Sequence, residues 1–238
     1  MDRQRLAFLI VFAVIFVGMC TLLGARMWDD FNTRFRTGEA VPLRVLPDEL
    51  LSPGEVIPDG PPQLPELRPE DPLLAGSASS SVTLVVFGDF ACPQCREQAQ
   101  ETTEALRLVG STGSVRVIWR DFPLINQHPR AMAAATVAAC AGRQGKFRQM
   151  HDALFFEATD LSDTEFLSFA SRLRLDTNAF LICLRDPAIP FRLQRDIETA
   201  RTHAITAVPT LFIDGRPLTG VINASTLATL LTDALTAR

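Results

Sequence analysis

Val82-Thr-Leu-Val-Val-Phe-Gly-Asp-Phe-Ala-Cys92-Pro-Gln-Cys95 sets two cysteines two residues apart where a buried strand turns into a helix. Val82–Phe87 is a short β-branched and aromatic run, the pattern of a strand covered on both faces. Arg96–Val109 then reads as a helix, with Ala99, Thr103, Leu106 and Val109 along one stripe. Cys92 therefore stands at the helix N-terminus, where unpaired backbone N–H groups and the positive end of the helix dipole favour a thiolate. Cys95, one turn on, is placed to close a small disulfide ring with it. Position and residue type together give a redox-active thiol pair.

Working outward, Val115–Arg120 is a second strand that ends in Asp121-Phe-Pro-Leu. Pro129 suits the first turn of a helix over 131–141, whose small residues allow close packing, and Gly142 and Gly145 interrupt it before a helix over 146–156. Two short helices over 164–173 and 177–185 are entered through Ser162-Asp163 and Asp176 caps, and 191–203 forms another. Pro209–Ile213 is a strand, Asp214-Gly215 a hairpin turn, Arg216–Leu218 its short partner, and 224–237 a closing amphipathic helix. The order is β-α-β, a block of helices, then β-β-α. This predicts an α/β fold with a helical insertion at about 126–204 between the two halves of its sheet.

The chain has 238 residues, and its 23 Lys and Arg against 27 Asp and Glu include no basic block, so no nucleic-acid partner is expected. Leu6–Ala25 is an uncharged apolar run flanked by Arg3, Arg5 and Arg26. A helix of that length spans roughly 30 Å, the thickness of a bilayer core. It is longer than the apolar region of an ordinary signal peptide and no A-x-A site follows it, which favours a retained membrane anchor over a cleaved signal. Val17-Gly18-Met19-Cys20 does not suit lipid attachment, because bulky Met19 stands where a small residue belongs. Prolines at 42, 47, 53, 58, 61, 62, 65, 69 and 72 then mark an extended spacer. The expected layout is an anchor (or uncleaved signal) over 1–27, a proline-rich spacer over 28–72 and a folded domain over 73–238.

Several motifs recur in a familiar order: Gly88-Asp-Phe-Ala-Cys-Pro-Gln-Cys-Arg96, Phe122-Pro-Leu124, His128-Pro-Arg-Ala131, Cys140-Ala-Gly-Arg-Gln-Gly-Lys-Phe147, Met150-His-Asp152 and Val208-Pro-Thr-Leu-Phe-Ile-Asp-Gly215. Together they resemble the DsbA-like thiol:disulfide interchange family over about residues 72 to 238. The resemblance implies a thioredoxin fold with a helical insertion and a protein disulfide oxidoreductase that needs no cofactor. Cys92 would be the exposed, catalytic partner and Cys95 the shielded one, with Pro93 and Gln94 completing the motif. Pro209 would be cis and face the pair, and the Val208 backbone would hold an extended substrate peptide by β-addition. Implied partners are reduced or misoxidised proteins and a quinone-linked membrane protein that resets the cysteines. The catalytic domain would then lie on the periplasmic or extracellular side of the membrane.

Two departures bear on the direction of exchange. Strongly oxidising members carry histidine between the cysteines, whereas Gln94 here is uncharged and would donate a hydrogen bond, so a Cys92 pKa below the free value but less depressed is expected. Val86 stands six residues before Cys92, where many relatives have a buried acid, and Asp89 lies on the turn. Oxidase activity is the first reading and a reductase or isomerase the second. A Cu(I)-binding thiol protein without turnover ranks below both. No metal site is expected otherwise, since zinc would need two further ligands and Cys140 and Cys183 have no paired neighbours. Those two are either separate small buried residues or, as in some relatives, a structural disulfide that staples the insertion. Five cysteines leave at least one over, and Cys20 lies inside the apolar run. His128 and His151 read as capping or packing residues.

Overall fold

The computed structural model describes residues 63–110 and 114–237, so the apolar run over 6–25 and most of the expected spacer lie outside the described residues. Among the described residues no helix is long and apolar enough to cross a membrane.

The elements in chain order are β1 (Leu73–Ala75), β2 (Val82–Gly88), α1 (Pro93–Val109), β3 (Val115–Asp121), α2 (Ala131–Gly142), α3 (Phe147–Phe156), α4 (Asp163–Arg172), α5 (Thr177–Cys183), α6 (Ala188–Thr202), β4 (Thr210–Ile213), β5 (Arg216–Thr219) and α7 (Ala224–Thr236). The sheet runs β1-β3-β2-β4-β5. β2 and β3 are parallel, in register from Val82 opposite Val115 to Gly88 opposite Asp121, with α1 as their crossover. β4 returns antiparallel beside β2. All seven residues of β2 are buried, in keeping with a run that is apolar on both faces except for Thr83 rather than alternating. The β4–β5 hairpin closes through Asp214 and Gly215, both at positive φ (46° and 93°), the conformation a tight two-residue turn demands.

The insertion is α2 to α6. Ten of the twelve α2 residues are buried, consistent with a helix of alanines wedged among neighbours. Ser162 caps α4 by accepting from the Glu165 N–H, and Asp176 caps α5 by accepting from the Ala179 N–H, as the sequence led one to expect. α6 begins at Ala188 rather than at residue 191, because Pro190 falls in the first helical turn, where its missing N–H is harmless.

Two features depart from the sequence reading. β1 was not foreseen: it is three residues long, partly exposed and pairs antiparallel with β3 (Leu73 opposite Ile118), too short to show a period. The spacer boundary at residue 72 is also corrected, since residues 64–72 belong to the folded domain. Leu64 and Leu67 pack on a second core of Val85, Phe87, Ile118, Ala200, Ile205 and Phe212. Arg120, fully buried on β3, explains the rest. Its guanidinium donates to Glu66 O at 2.6 Å and to Asp71 at 2.5 Å, and lies 3.3 Å from Asp196, which Arg68 pairs at 2.9 Å. A buried charge must be satisfied, and the proline-rich segment supplies two of its acceptors. Proline spacing shows stiffness; it does not show which side chains find partners.

Candidate active site

The end of β2 shapes the site. A Cβ at Gly88 would meet Trp119 Cη2 at 2.3 Å, so glycine lets the indole lie across the strand end. Phe90 then stacks against Trp119 with ring centroids 4.9 Å apart and against Phe155 at 5.0 Å, anchoring the turn that follows. The turn is closed by Cys92 N–H donating to Asp89 O at 3.1 Å and Ala91 N–H donating to Asp89 Oδ1 at 2.7 Å. α1 starts on the next residue, with Cys92 at its N-cap, Pro93 in its first turn and no side-chain cap on its free N–H groups. The polar end of α1 is thus left to the Cys92 sulfur.

Cys92 and Cys95 are both free thiols. The expectation that Cys92 is exposed is corrected: it is 5% exposed and Cys95 2%, although the Cys92 thiol is the shallower of the two. The Cys92 thiol points at Gln94 Oε1, 3.3 Å away, and at the Val208 carbonyl, 4.0 Å away. Gln94, expected as a donor, therefore presents an acceptor. The Val208–Pro209 peptide is cis, and Pro209 is buried beside β4. Val86 is buried and apolar, opposite Trp119 on β3 and Leu211 on β4.

The two thiols differ sharply in acidity. A hydrogen bond from the Cys95 thiol, with support from the Cys95 and Gln94 backbone N–H groups, holds the Cys92 pKa down at about 6 against the opposing effects of burial and the Asp89 charge. Cys95 is pushed well up, first because it is the donor in that bond and then because it is buried. The Asp89 N–H, which donates to Cys95 Sγ at 3.4 Å, only partly offsets this.

Two residues read from sequence as minor prove to be built into the site. Asp89 is buried, and its Oδ2 accepts from the Leu124 N–H at 2.9 Å and lies 2.8 Å from His128 Nδ1. His128, read as a packing residue, is thus Asp89's partner across 39 positions of chain. Membership of both in recurring motifs was the available signal; nothing local linked one to the other. His151 pairs with Asp152 through Nδ1 at 3.0 Å, and burial lowers its pKa in a cage with Phe90, Trp119 and Phe155. Its packing reading stands.

Cys140 and Cys183 are bonded to one another, with Cα atoms 5.7 Å apart, so α2 and α5 are stapled. Among the described residues no group of three or more His, Cys, Asp or Glu is arranged to hold a metal ion.

A thioredoxin family model matches residues 69–233. Curated relatives include the Na(+)/H(+) antiporter NhaA 1 of Salinispora arenicola, 34% identical over 166 residues that make up 70% of this chain and 25% of that protein. NhaA 3 of Salinispora tropica is 36% identical over 67% of this chain and 24% of its own length. The chain therefore spans about a quarter of these relatives. Among solved structures, a thioredoxin-like oxidoreductase from Silicibacter pomeroyi aligns with a TM-score of 0.64 at 24% identity, covering 72% of this chain and 95% of that one. The thiol-disulfide exchange protein α-DsbA2 of Wolbachia pipientis gives 0.61 at 22% identity, over 68% of this chain and 86% of its own. The catalytic domain of Proteus mirabilis ScsC gives 0.59 at 21%, over 70% and 90%. At these identities the alignments establish a shared fold.

Proposed function

Because the chain belongs to the thioredoxin family, with a helical subdomain inserted as in DsbA-like structures, we propose that it is a thiol:disulfide oxidoreductase that acts on protein thiols outside the cytoplasm. The observation that carries this reading is the split acidity of two free thiols one turn apart at a helix start. With its pKa at about 6, Cys92 is mostly thiolate at neutral pH, while Cys95 keeps its proton.

In the oxidising direction a substrate thiolate attacks Cys92 Sγ of the Cys92–Cys95 disulfide, and Cys95 leaves and is protonated. A second substrate thiolate then attacks the substrate sulfur of the mixed disulfide and expels Cys92 as thiolate. An acidic Cys92 leaves readily and stabilises the reduced enzyme, which makes the pair more oxidising. The Val208 main chain, 4.0 Å from Cys92 Sγ, is where an extended substrate peptide would pair. The Cys140–Cys183 bond suits an oxidising compartment, and the apolar run over 6–25 would hold the domain at a membrane, near a partner that restores the disulfide.

Equilibration of the full chain with glutathione buffers tests the direction. A potential between those of thioredoxin and DsbA, roughly −270 and −120 mV, and nearer the second, is expected of an oxidase. A value at about −270 mV would make the protein a reductase or isomerase instead.

A further inference from the structure

The relation between the two sulfurs depends on the turn before them. The donors that lower the Cys92 pKa are the Cys95 thiol and the Cys95 and Gln94 backbone N–H groups, and Cys95 Sγ itself accepts from the Asp89 N–H at 3.4 Å. Both sulfurs keep their places only while residues 88–92 keep theirs. β3 and the loop after it hold that turn. Phe122 N–H donates to Gly88 O at 2.8 Å, and Leu124 N–H donates to Asp89 Oδ2 at 2.9 Å. The Trp119 indole lies across Gly88 and stacks on Phe90.

Ring packing leaves the buried indole a choice of acceptor for its N–H, the polar handle that a buried tryptophan must satisfy. On the α3 side stands His151, 5.1 Å away between ring centroids. Its Nδ1 faces Asp152, and its buried Nε2 has no hydrogen-bond partner among the described residues, so Nε2 offers a lone pair. On the other side Asp121 Oδ1 accepts from Trp119 Nε1 at 2.8 Å. The Asp121 carboxylate is held in that direction. Arg192 of α6 donates to its Oδ2 at 2.7 Å, Asp196 of α6 accepts from its backbone N–H at 3.3 Å, and Arg68 and Arg120 fix Asp196 in turn. Asp121 also stands opposite Gly88 on the strand ladder, the rung at which β2 becomes the turn. A charged acceptor with its own guanidinium partner is stiffer than a hydroxyl or amide would be.

We propose that Asp121 is a positioning residue for the Cys92–Cys95 pair: by keeping the Trp119 indole over Gly88 and Phe90, and away from His151, it locks the turn that sets the two sulfurs against each other. The inference rests on the exchange reaction proposed above and adds no chemical step to it. Asp121 touches neither sulfur. Without its carboxylate the indole N–H turns to His151 Nε2, Phe90 loses the surface on which it stacks, and the Asp89 N–H draws back from Cys95 Sγ. The Cys95 thiol then donates less well to Cys92, so Cys92 becomes less acidic and the pair less oxidising. The sign separates this from a simple charge effect, because loss of a negative charge would make Cys92 more acidic.

The test follows alkylation of the reduced full-length protein from pH 5 to 9, its equilibrium with glutathione buffers, and its melting. Asp121→Ala should raise the Cys92 midpoint by about one pH unit and favour the enzyme disulfide about tenfold over the parent. The double variant Asp121→Asn/Arg192→Met keeps an amide oxygen for the indole while losing the charge and its partner. It should melt earlier, as Asp121→Ala does, yet leave the midpoint within a few tenths of the parent. Trp119→Phe removes the N–H and should raise the midpoint, and adding Asp121→Ala to it should move the midpoint no further, since the effect passes through the indole. An unmoved midpoint in Asp121→Ala, or equal shifts in it and the double variant, would overturn the positioning role. If Asp121→Ala does not fold, Trp119→Phe against the parent decides, and an unmoved midpoint there overturns it as well. A parent protein that exchanges no disulfide with glutathione would instead overturn the oxidoreductase reading itself.

Discussion

Cys92 and Cys95 lie one turn apart at the start of α1 and are free, whereas Cys140 and Cys183 lie 43 residues apart, near the end of α2 and at the end of α5, and are joined. All four are almost fully buried, so burial does not separate the two pairs. Helix polarity does. At the start of α1, N–H groups without a side-chain cap favour a thiolate on Cys92, and the Cys95 thiol adds a hydrogen bond. At the C-terminal ends of α2 and α5 the carbonyl end of the dipole disfavours negative charge, and the surroundings are apolar. One chain thus contains a pair suited to exchange and a pair suited to staying closed.

The largest effect that can break this comparison is on exchange itself. Cys92→Ser should lower the rate of disulfide transfer to a reduced, unfolded protein by about a thousandfold or more, since without Cys92 there is no Cys92–Cys95 disulfide to transfer. The double variant Cys140→Ala/Cys183→Ala should keep that rate within about twofold at 25 °C, the scatter expected of a pair remote from the chemistry. A comparable loss in both would mean that the stapled pair takes part in the reaction.

The reverse ranking is expected for stability. Closing a loop of 43 residues restricts the unfolded chain by about 4 kcal/mol in the loop-entropy picture. The double alanine variant should lose about that much in urea unfolding of the protein with its active-site pair reduced. Cys92→Ser, which closes no loop under those conditions, should lose far less.

The division between these pairs was half legible in the sequence. The Val82–Cys95 stretch shows its own local structure, because a continuous apolar strand, a glycine and a Pro-containing helix start are all short-range signals. The Cys140–Cys183 bond was one of two open readings, since only the packing of α2 against α5 determines whether two distant cysteines meet. The near-complete burial of Cys92 was missed even though Val208 was expected beside it, because how closely segments 116 residues apart pack is not a local signal. The Asp89–His128 pair and the docking of Leu64 and Leu67 were missed for the same reason. Each depends on long-range packing, which periodicity does not encode.

The pH dependence of the free pair sharpens the contrast further. Alkylation of reduced Cys92 should rise with a midpoint near pH 6, while Cys140 and Cys183, once their bond is reduced and the chain unfolded, should titrate near the ordinary thiol value of about 8.5. The linkage has a definite sign. Between about 6 and the ordinary thiol range, folded reduced protein binds fewer protons at Cys92 than unfolded protein does. The stability of the reduced form should therefore grow as pH rises through that window and be lost as pH falls through about 6. Cys95 acts oppositely only above the ordinary thiol range, because its pKa is raised. Urea midpoints of reduced protein against Cys92→Ser, measured from pH 5 to 9, check this: parallel curves would mean that Cys92 is not acidic in the fold.

The smallest effect concerns how the two kinds of helix end are finished. Asp176 Oδ1 accepts from the Ala179 N–H at 2.9 Å and so caps α5, while Gln144, just past α2, accepts from the Asp176 N–H at 2.7 Å. Asp176→Ala removes the cap but leaves the Gln144 contact and the Cys140–Cys183 bond, so it should destabilise the domain by about 1 kcal/mol. The alkylation midpoint of Cys92 should not move, because α5 contributes no charge to it. At α1 the corresponding N–H groups have no such side chain, and their influence goes to the thiolate. Capping one helix start with a carboxylate stabilises the fold, whereas leaving the other to a cysteine favours its reactive form. A Cys92 midpoint that shifted with Asp176→Ala would show that the insertion tunes the reactive pair rather than only supporting it.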